Sequence, residues 1–91
     1  MSALSSAEVN SRLSGVPEWH VQRGKLVRTF EFKDFPKAMA FVNRLADLAE
    51  EAGHHPDIDI RYNKVRLALV THDAGGLTAK DFDMASQANR L

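Results

Sequence analysis

The hydrophobic period of this chain switches between two and 3.6 residues twice, and that switching limits the fold more than any other feature. Trp19 and Val21 alternate with His20 and Gln22. After Arg23-Gly24, Leu26, Phe30 and Phe32 share one parity while Thr29 and Glu31 take the other. The pattern returns with Ile58, Ile60 and Tyr62, then Val65, Leu67 and Leu69 on the far side of Asn63-Lys64. A period of two places alternate side chains on opposite faces of a strand. Each pair of runs, split by a tight turn, predicts an antiparallel hairpin.

Helical signals fill the intervals. Ser5-Ser6-Ala7-Glu8 is a capping box, with Leu4 and Val9 placed as a hydrophobic staple. The helix it opens should run to about Ser14, stopped by Gly15 and Pro17. Asp34 caps a longer helix with Pro36 in its first turn, where a missing N–H does no harm. Phe35, Ala38, Val42, Leu45 and Ala49 recur there as an apolar stripe that Met39 and Ala46 widen, and Gly53 is placed to end the helix in a left-handed conformation. Asp73-Ala74-Gly75-Gly76 is a loop. Thr78 caps a last helix, with Asp81 at the capping-box position, Leu77 and Phe82 as a staple, and Ala85 and Ala88 on its buried side.

The order is helix, two strands, helix, two strands, helix. One apolar parity per hairpin calls for one covered sheet face. The expected fold is α+β, a two-layer sandwich of order α-β-β-α-β-β-α, with a four-stranded antiparallel sheet and three helices on one face. Ninety-one residues suit a single domain over 1–91. A core that small gains from subunit association.

Composition removes several functional classes. With no cysteine, disulfide frameworks, Fe–S clusters and thiolate zinc sites are excluded. Lys and Arg number 12 against 12 acids, interspersed, so no basic stripe tracks a phosphate backbone, and direct nucleic-acid binding is not expected. No run reaches the apolar length of a membrane span, and Met-Ser-Ala-Leu-Ser-Ser lacks the features of a secretory signal. The expected location is the cytoplasm.

The polar residues able to carry chemistry gather around His54-His55-Pro56, at the junction of the long helix and the third strand. As an isolated string, these histidines are solvated loop residues, His54 favourably near a helix C-terminus. Glu50 lies one helical turn before His54, and His72 ends the fourth strand. A hairpin brings its outer ends together, so His72 should return to the neighbourhood of His54 and His55. Asp81 follows a short Gly-containing loop and either caps its helix or borders the same place. Three histidines also suit zinc, but adjacent side chains of an extended segment point apart, so His54 and His55 would not readily share one ion. No metal is expected. His20 reads as a solvated strand residue, and Trp19, Phe30, Phe32, Phe35 and Phe41 as core.

The constellation Glu50, His54, His55, Pro56, Tyr62, His72 and Asp81 resembles, spacing included, the signature of pterin-4a-carbinolamine dehydratases. Phe32-Lys33-Asp34-Phe35, Ala40-Phe41-Val42-Asn43-Arg44 and Gly75-Gly76-Leu77-Thr78 are similar to that family too. The likeness runs from about Trp19 to Ala88, and the tail after Ala85 is less typical.

The resemblance implies a hydro-lyase that dehydrates the 4a-hydroxytetrahydropterin left by aromatic amino-acid hydroxylases, giving the quinonoid dihydropterin in recycling of the tetrahydropterin. Loss of water from a carbinolamine needs a proton delivered to the departing hydroxyl and one removed from the neighbouring ring nitrogen. No cofactor is required. Histidine, with an unperturbed pKa of about 6.5, suits both steps. From the family, His54 and His72 form the acid–base pair and His55 binds and polarises the pterin. Glu50 and Asp81 support them, while Thr71 and Asp73 orient the pterin through main-chain groups. The family also implies a homodimer or homotetramer, with sheets joined at their edges and long helices bundled, Met39 and Ala46 being candidates for that contact. A functional link to an aromatic amino-acid hydroxylase follows from the same source. The alternative is an interaction module on the same fold, serving transcription or the assembly of a carboxylase, as some relatives do.

Overall fold

A computed structural model describes residues 2–91. Along the chain run α1 (Ser6–Leu13), β1 (His20–Gln22), β2 (Lys25–Glu31), α2 (Phe35–Ala52), β3 (Asp57–Arg61), β4 (Lys64–Leu69), a 3-10 turn (His72–Ala74) and α3 (Ala79–Ala88). The four strands lie in the order β1-β2-β4-β3, every neighbouring pair antiparallel. This is the expected α-β-β-α-β-β-α fold.

Register follows from the turns. Gln22 pairs with Lys25, leaving Arg23-Gly24 as a two-residue turn. Both take positive φ, 53° and 76°, as the right-handed twist of the flanking strands favours. The second turn lies one residue earlier than the sequence suggested. Arg61 pairs with Lys64, so Tyr62-Asn63 makes the turn. Asn63 holds it to the end of β2, its Nδ2 donating to the Phe32 carbonyl at 2.8 Å while its own carbonyl accepts from the Phe32 N–H at 2.9 Å. Tyr62 accordingly leaves the strand with φ of 54° and is exposed.

Leu26, Phe30, Val65, Leu67 and Leu69 bury one sheet face against Ala38, Phe41 and Leu45 of α2 and Phe82, Met84 and Ala85 of α3. Leu4, Val9 and Leu13 attach α1 to the same core. The opposite face carries charge: Thr29 pairs with Arg66, Arg66 with Asp59, and Lys25 bonds Asp57 at 3.0 Å. All three helices therefore lie on the apolar side. The stripe of α2 is rotated from the expected one, with Ala38, Phe41, Leu45 and Ala49 innermost and Phe35 exposed. The cause is an aromatic cluster, in which Phe41 lies 4.6 Å from Phe30 and 5.0 Å from Phe32 between ring centroids. Arg28 shares the inward parity of Leu26 and Phe30. It stacks over the Phe30 ring at 4.1 Å and donates to Asn89 Oδ1 at 2.6 Å, while the indole N–H of Trp19 donates to the same oxygen at 2.8 Å.

The caps form as their residue types dictate. The Ser5 N–H donates to Glu8 Oε1 at 2.8 Å and Ser5 Oγ accepts from the Glu8 N–H at 3.1 Å. The Ser5 N–H foremost, and after it the Ser5 hydroxyl, hold the Glu8 carboxyl below its usual range.

Candidate active site

The site begins where α2 ends. Gly53 takes φ of 64°, its N–H bonding the Glu50 carbonyl at 3.3 Å and that of His54 the Ala49 carbonyl at 3.1 Å. This is a Schellman closure, which glycine enters without steric cost. It turns the chain sharply, so that His54 and His55 stand between the helix and β3 with side chains directed to different partners. His54 goes inward to Asp81, and His55 goes outward to Glu50.

His54 Nε2 lies 2.6 Å from Asp81 Oδ1, the imidazole only 12% exposed and the carboxylate fully buried. A carboxylate accepts and does not donate, so the ring proton resides on Nε2 and the lone pair of the neutral imidazole on Nδ1. Asp81 Oδ2 accepts from the Thr71 hydroxyl and from the Thr78 N–H, each at 2.9 Å. Because the Thr71 proton goes to Asp81, the 2.8 Å contact between the hydroxyls runs from Thr78 to Thr71. Asp81 therefore caps α3 with one oxygen and holds His54 with the other. No buried side-chain N or O among the described residues lacks a partner.

His55 Nε2 contacts Glu50 Oε2 in the open, with the two side chains 63% and 79% exposed. Solvent screening makes this pair a weaker tether than the first.

His72 does not end a strand as expected. Pairing of β4 with β2 stops at Leu69, and the chain closes on itself, with the Thr71 N–H donating to the Gly76 carbonyl at 3.2 Å. His72 opens the 3-10 turn inside that closure and is exposed. It still returns to the other histidines: a depression of about 250 Å³ is lined by His54, His55, Thr71, His72, Asp73 and Lys80. Glu50 reaches it through His55, and Asp81 lies beneath it through His54.

Lys80 was missed in the sequence. It precedes Asp81 in the first turn of α3, and no motif distinguishes it from a solvated lysine. Tyr62 does not join the site, since it sits at the turn of the hairpin whose other end carries Asp57 and Ala68. Among the described residues no three His, Cys, Asp or Glu side chains are arranged to hold a metal ion. The geometric reason is that His54 and His55 are committed to carboxylates on opposite sides. A roomier depression, about 410 Å³, runs along α1 past Leu4, Val9, Leu13 and Val21 and carries no titratable side chain.

The family model for pterin 4 alpha carbinolamine dehydratase matches residues 2–91. The chain belongs to that family. Its dehydratase relatives include a protein of Acidobacterium capsulatum bearing the name "Putative pterin-4-alpha-carbinolamine dehydratase", 58% identical over 91 residues, covering 100% of this chain and 99% of the relative. A protein of the same name from Chloroflexus aurantiacus is 56% identical over 91 residues, covering 100% and 98%. A solved structure described as a transcriptional coactivator/pterin dehydratase from Brucella melitensis superposes with a TM-score of 0.93 at 35% identity, covering 98% of this chain and 97% of that one. No helix of the described dehydratase-family chain is long and apolar enough to cross a membrane.

Proposed function

We propose that this chain dehydrates a 4a-hydroxytetrahydropterin to the quinonoid dihydropterin by histidine acid–base catalysis. The observation that carries the reading is the gathering of His54, His55 and His72 around one depression, with His54 anchored to a buried carboxylate. In this reading one of His54 and His72, protonated, gives its proton to the 4a-hydroxyl as the C4a–O bond breaks. The other, neutral, takes the proton of the adjacent ring nitrogen, whose N–H electron pair becomes the new C=N bond. Water leaves, and the two histidines exchange protonation states until solvent resets them. The anchoring of His54 through Nε2 leaves Nδ1 as its exchanging nitrogen. His55, on the open side, binds and polarises the pterin, while Glu50 holds its ring. Thr71 and Asp73 orient the substrate.

The same reading makes residues 1–91 one catalytic unit, located in the cytoplasm and recycling the pterin of an aromatic amino-acid hydroxylase. It forms a homodimer or homotetramer. Support for association comes from α2, where Phe35, Met39, Val42 and Ala46 recur at alternating steps of four and three along a side that the core leaves exposed or half-covered. The edge strand β3 also presents unpaired backbone groups.

Stopped-flow dehydration of freshly generated 4a-hydroxytetrahydropterin tests the activity. Acceleration over the spontaneous rate supports it, and a rate equal to the protein-free control refutes it. A second reading, an interaction module, draws on the name of the Brucella structure, which pairs coactivator with dehydratase. A folded protein without dehydratase activity would favour that one.

A further inference from the structure

The histidine depression does not end at His72. Val70 and His72 form a shared wall with a second depression of about 350 Å³, whose other sides are Arg23, Lys25, Gly75 and Gly76. The first hairpin brings the two cations there. Leu26 pairs with Leu69, so Lys25 stands beside Val70, and Arg23 sits in the turn just beyond. Gly24, Gly75 and Gly76 present no side chains to this second depression, and a Cβ on Gly24 or Gly75 would meet nothing within 4 Å. The two depressions adjoin at Val70 and His72, so the substituent of a pterin held in the first would reach the second by passing His72.

Charge separates the two compartments. The first mixes Lys80 with Asp73, giving no net formal charge apart from the histidines. The second is lined by Arg23 and Lys25 and by no carboxylate. Lys25 is partly compensated, since its ammonium bonds Asp57 at 3.0 Å across the sheet. Arg23 has no ion-pair partner among the described residues, so at least one guanidinium remains available in the second depression. Guanidinium recognises carboxylates and phosphates through paired, charge-assisted hydrogen bonds.

The geometry points to a side-chain subsite: the depression beside His72 takes an anionic group at the end of the pterin's ring substituent, with Arg23 as its principal contact and Lys25 as a supporting charge. This rests on the dehydratase reading and adds a substrate class to it, namely pterins whose side chain ends in a phosphate ester or a carboxylate.

The test compares 4a-hydroxytetrahydropterins that share the ring and differ in the substituent: methyl, neutral dihydroxypropyl, a chain ending in a phosphate monoester and one ending in a carboxylate. The expected KM of the wild-type protein is about tenfold lower for an anionic chain than for the neutral ones, with kcat similar, because the contact is made equally in ground and transition states. The advantage should shrink as salt is raised. Arg23→Gln should bring the ratio of neutral to anionic KM close to one, and Lys25→Gln should lower it part of the way. Arg61→Gln, which removes a cation at the far end of the sheet, should keep it. The phosphate and carboxylate arms distinguish the two sources of charge. Equal KM values in the wild type would overturn the subsite, as would a ratio that survives Arg23→Gln or falls equally in Arg61→Gln. If no pterin is dehydrated faster than it is without protein, the dehydratase reading fails and takes the subsite with it. Turnover without an anionic preference rejects the subsite alone.

Discussion

His54 and Asp81, 27 residues apart in sequence, meet through a 2.6 Å hydrogen bond whose carboxylate is wholly enclosed by protein. The bond joins the C-terminal end of α2 to the first turn of α3, so it ties the framework together where it fixes a ring nitrogen. Asp81→Asn keeps the shape and loses the charge. We expect dehydration to fall about tenfold to a hundredfold, because the amide can donate to the imidazole and favour the wrong tautomer, against the 10²–10⁴-fold worth of a positioned acid–base group. Stability should also drop, and Asp81→Ala should cost more, about 1–3 kcal/mol for each of the buried imidazole, hydroxyl and N–H that it leaves without an acceptor. Urea denaturation reports the second effect and stopped-flow the first. An Asp81→Asn variant with wild-type rates would leave the bond a purely structural role.

The histidines divide by burial. His54→Ala removes a partner from a buried carboxylate, so it should lower stability by about 1–3 kcal/mol while the protein remains folded. His54→Gln can place an amide nitrogen near the Nε2 position, and should recover much of that stability without recovering the rate. His72→Ala, at an exposed position, should leave the melting temperature nearly unchanged. Each loss should slow dehydration by about 10²-fold, the lower end of the range for acid–base groups, because the spontaneous reaction is itself accessible. His55→Ala should raise KM more than it lowers kcat. His20→Ala, on the outer sheet face, serves as the control. Folded His54→Ala and His72→Ala variants that both kept full rates would remove these residues from catalysis.

Most of the architecture was legible because each level of the sequence agreed with the next. Strand parity, the Arg23-Gly24 turn, and the caps at Ser5, Asp34 and Thr78 all point to one fold. Where the reading slipped, tertiary contacts decided. Phe35 and Phe41 both fit a helical stripe, and only the rings of Phe30 and Phe32 select Phe41 for the interior. The turn moved to Tyr62-Asn63 because Asn63 bonds Phe32, a partner 31 residues away. At the site, spacing brought the histidines together, but whether Asp81 only capped its helix or also bordered the histidines was open. Its two oxygens do both, which a sequence has no means to express. Lys80 and Arg23 carried no signal, since an isolated cation near a loop is usually solvated.

α2 offers a test of association. Phe35 is 46% exposed, and Met39, Val42 and Ala46 continue its side of the helix. A second copy packing there would bury this seam. Val42→Glu should therefore lower the mass seen by light scattering at micromolar concentration, with the circular dichroism spectrum kept. A monomeric wild type over the same range would contradict the oligomer.

The chain's C-terminal end should also contribute to stability. Asn89 Oδ1 accepts from Trp19 Nε1 and from Arg28 Nη1, tying the end of α3 to the segment before β1 and to β2. The Trp19 residue is 3% exposed, so its indole N–H has little access to water if the acceptor is lost. Asn89→Ala should cost about 1–3 kcal/mol, the penalty of stranding a buried donor. Asn89→Asp keeps an acceptor and adds a charge facing Arg28, so it should retain most of the stability. Equal melting temperatures for Asn89→Ala and wild type would show that water replaces the amide without cost.

Acid should weaken the cap of α1. The Glu8 carboxyl is held below its usual range by the Ser5 N–H and hydroxyl. A depressed folded-state value means that unfolding takes up protons as the pH falls. The contribution is therefore present above the unfolded carboxylate range, about pH 4.3, and is lost as pH falls through the lower folded value. Glu8→Gln keeps an acceptor for the Ser5 N–H and has no titration. Its stability relative to wild type should be lower at pH 7, and the two should converge as the pH falls below the carboxylate range. Because α1 packs on the core through Val9 and Leu13, the difference should appear in hydrogen exchange of α1 amides before it appears in global melting. A stability gap between the two proteins that stays constant from pH 7 to pH 3 would show that the capping box does not depend on the charge of Glu8.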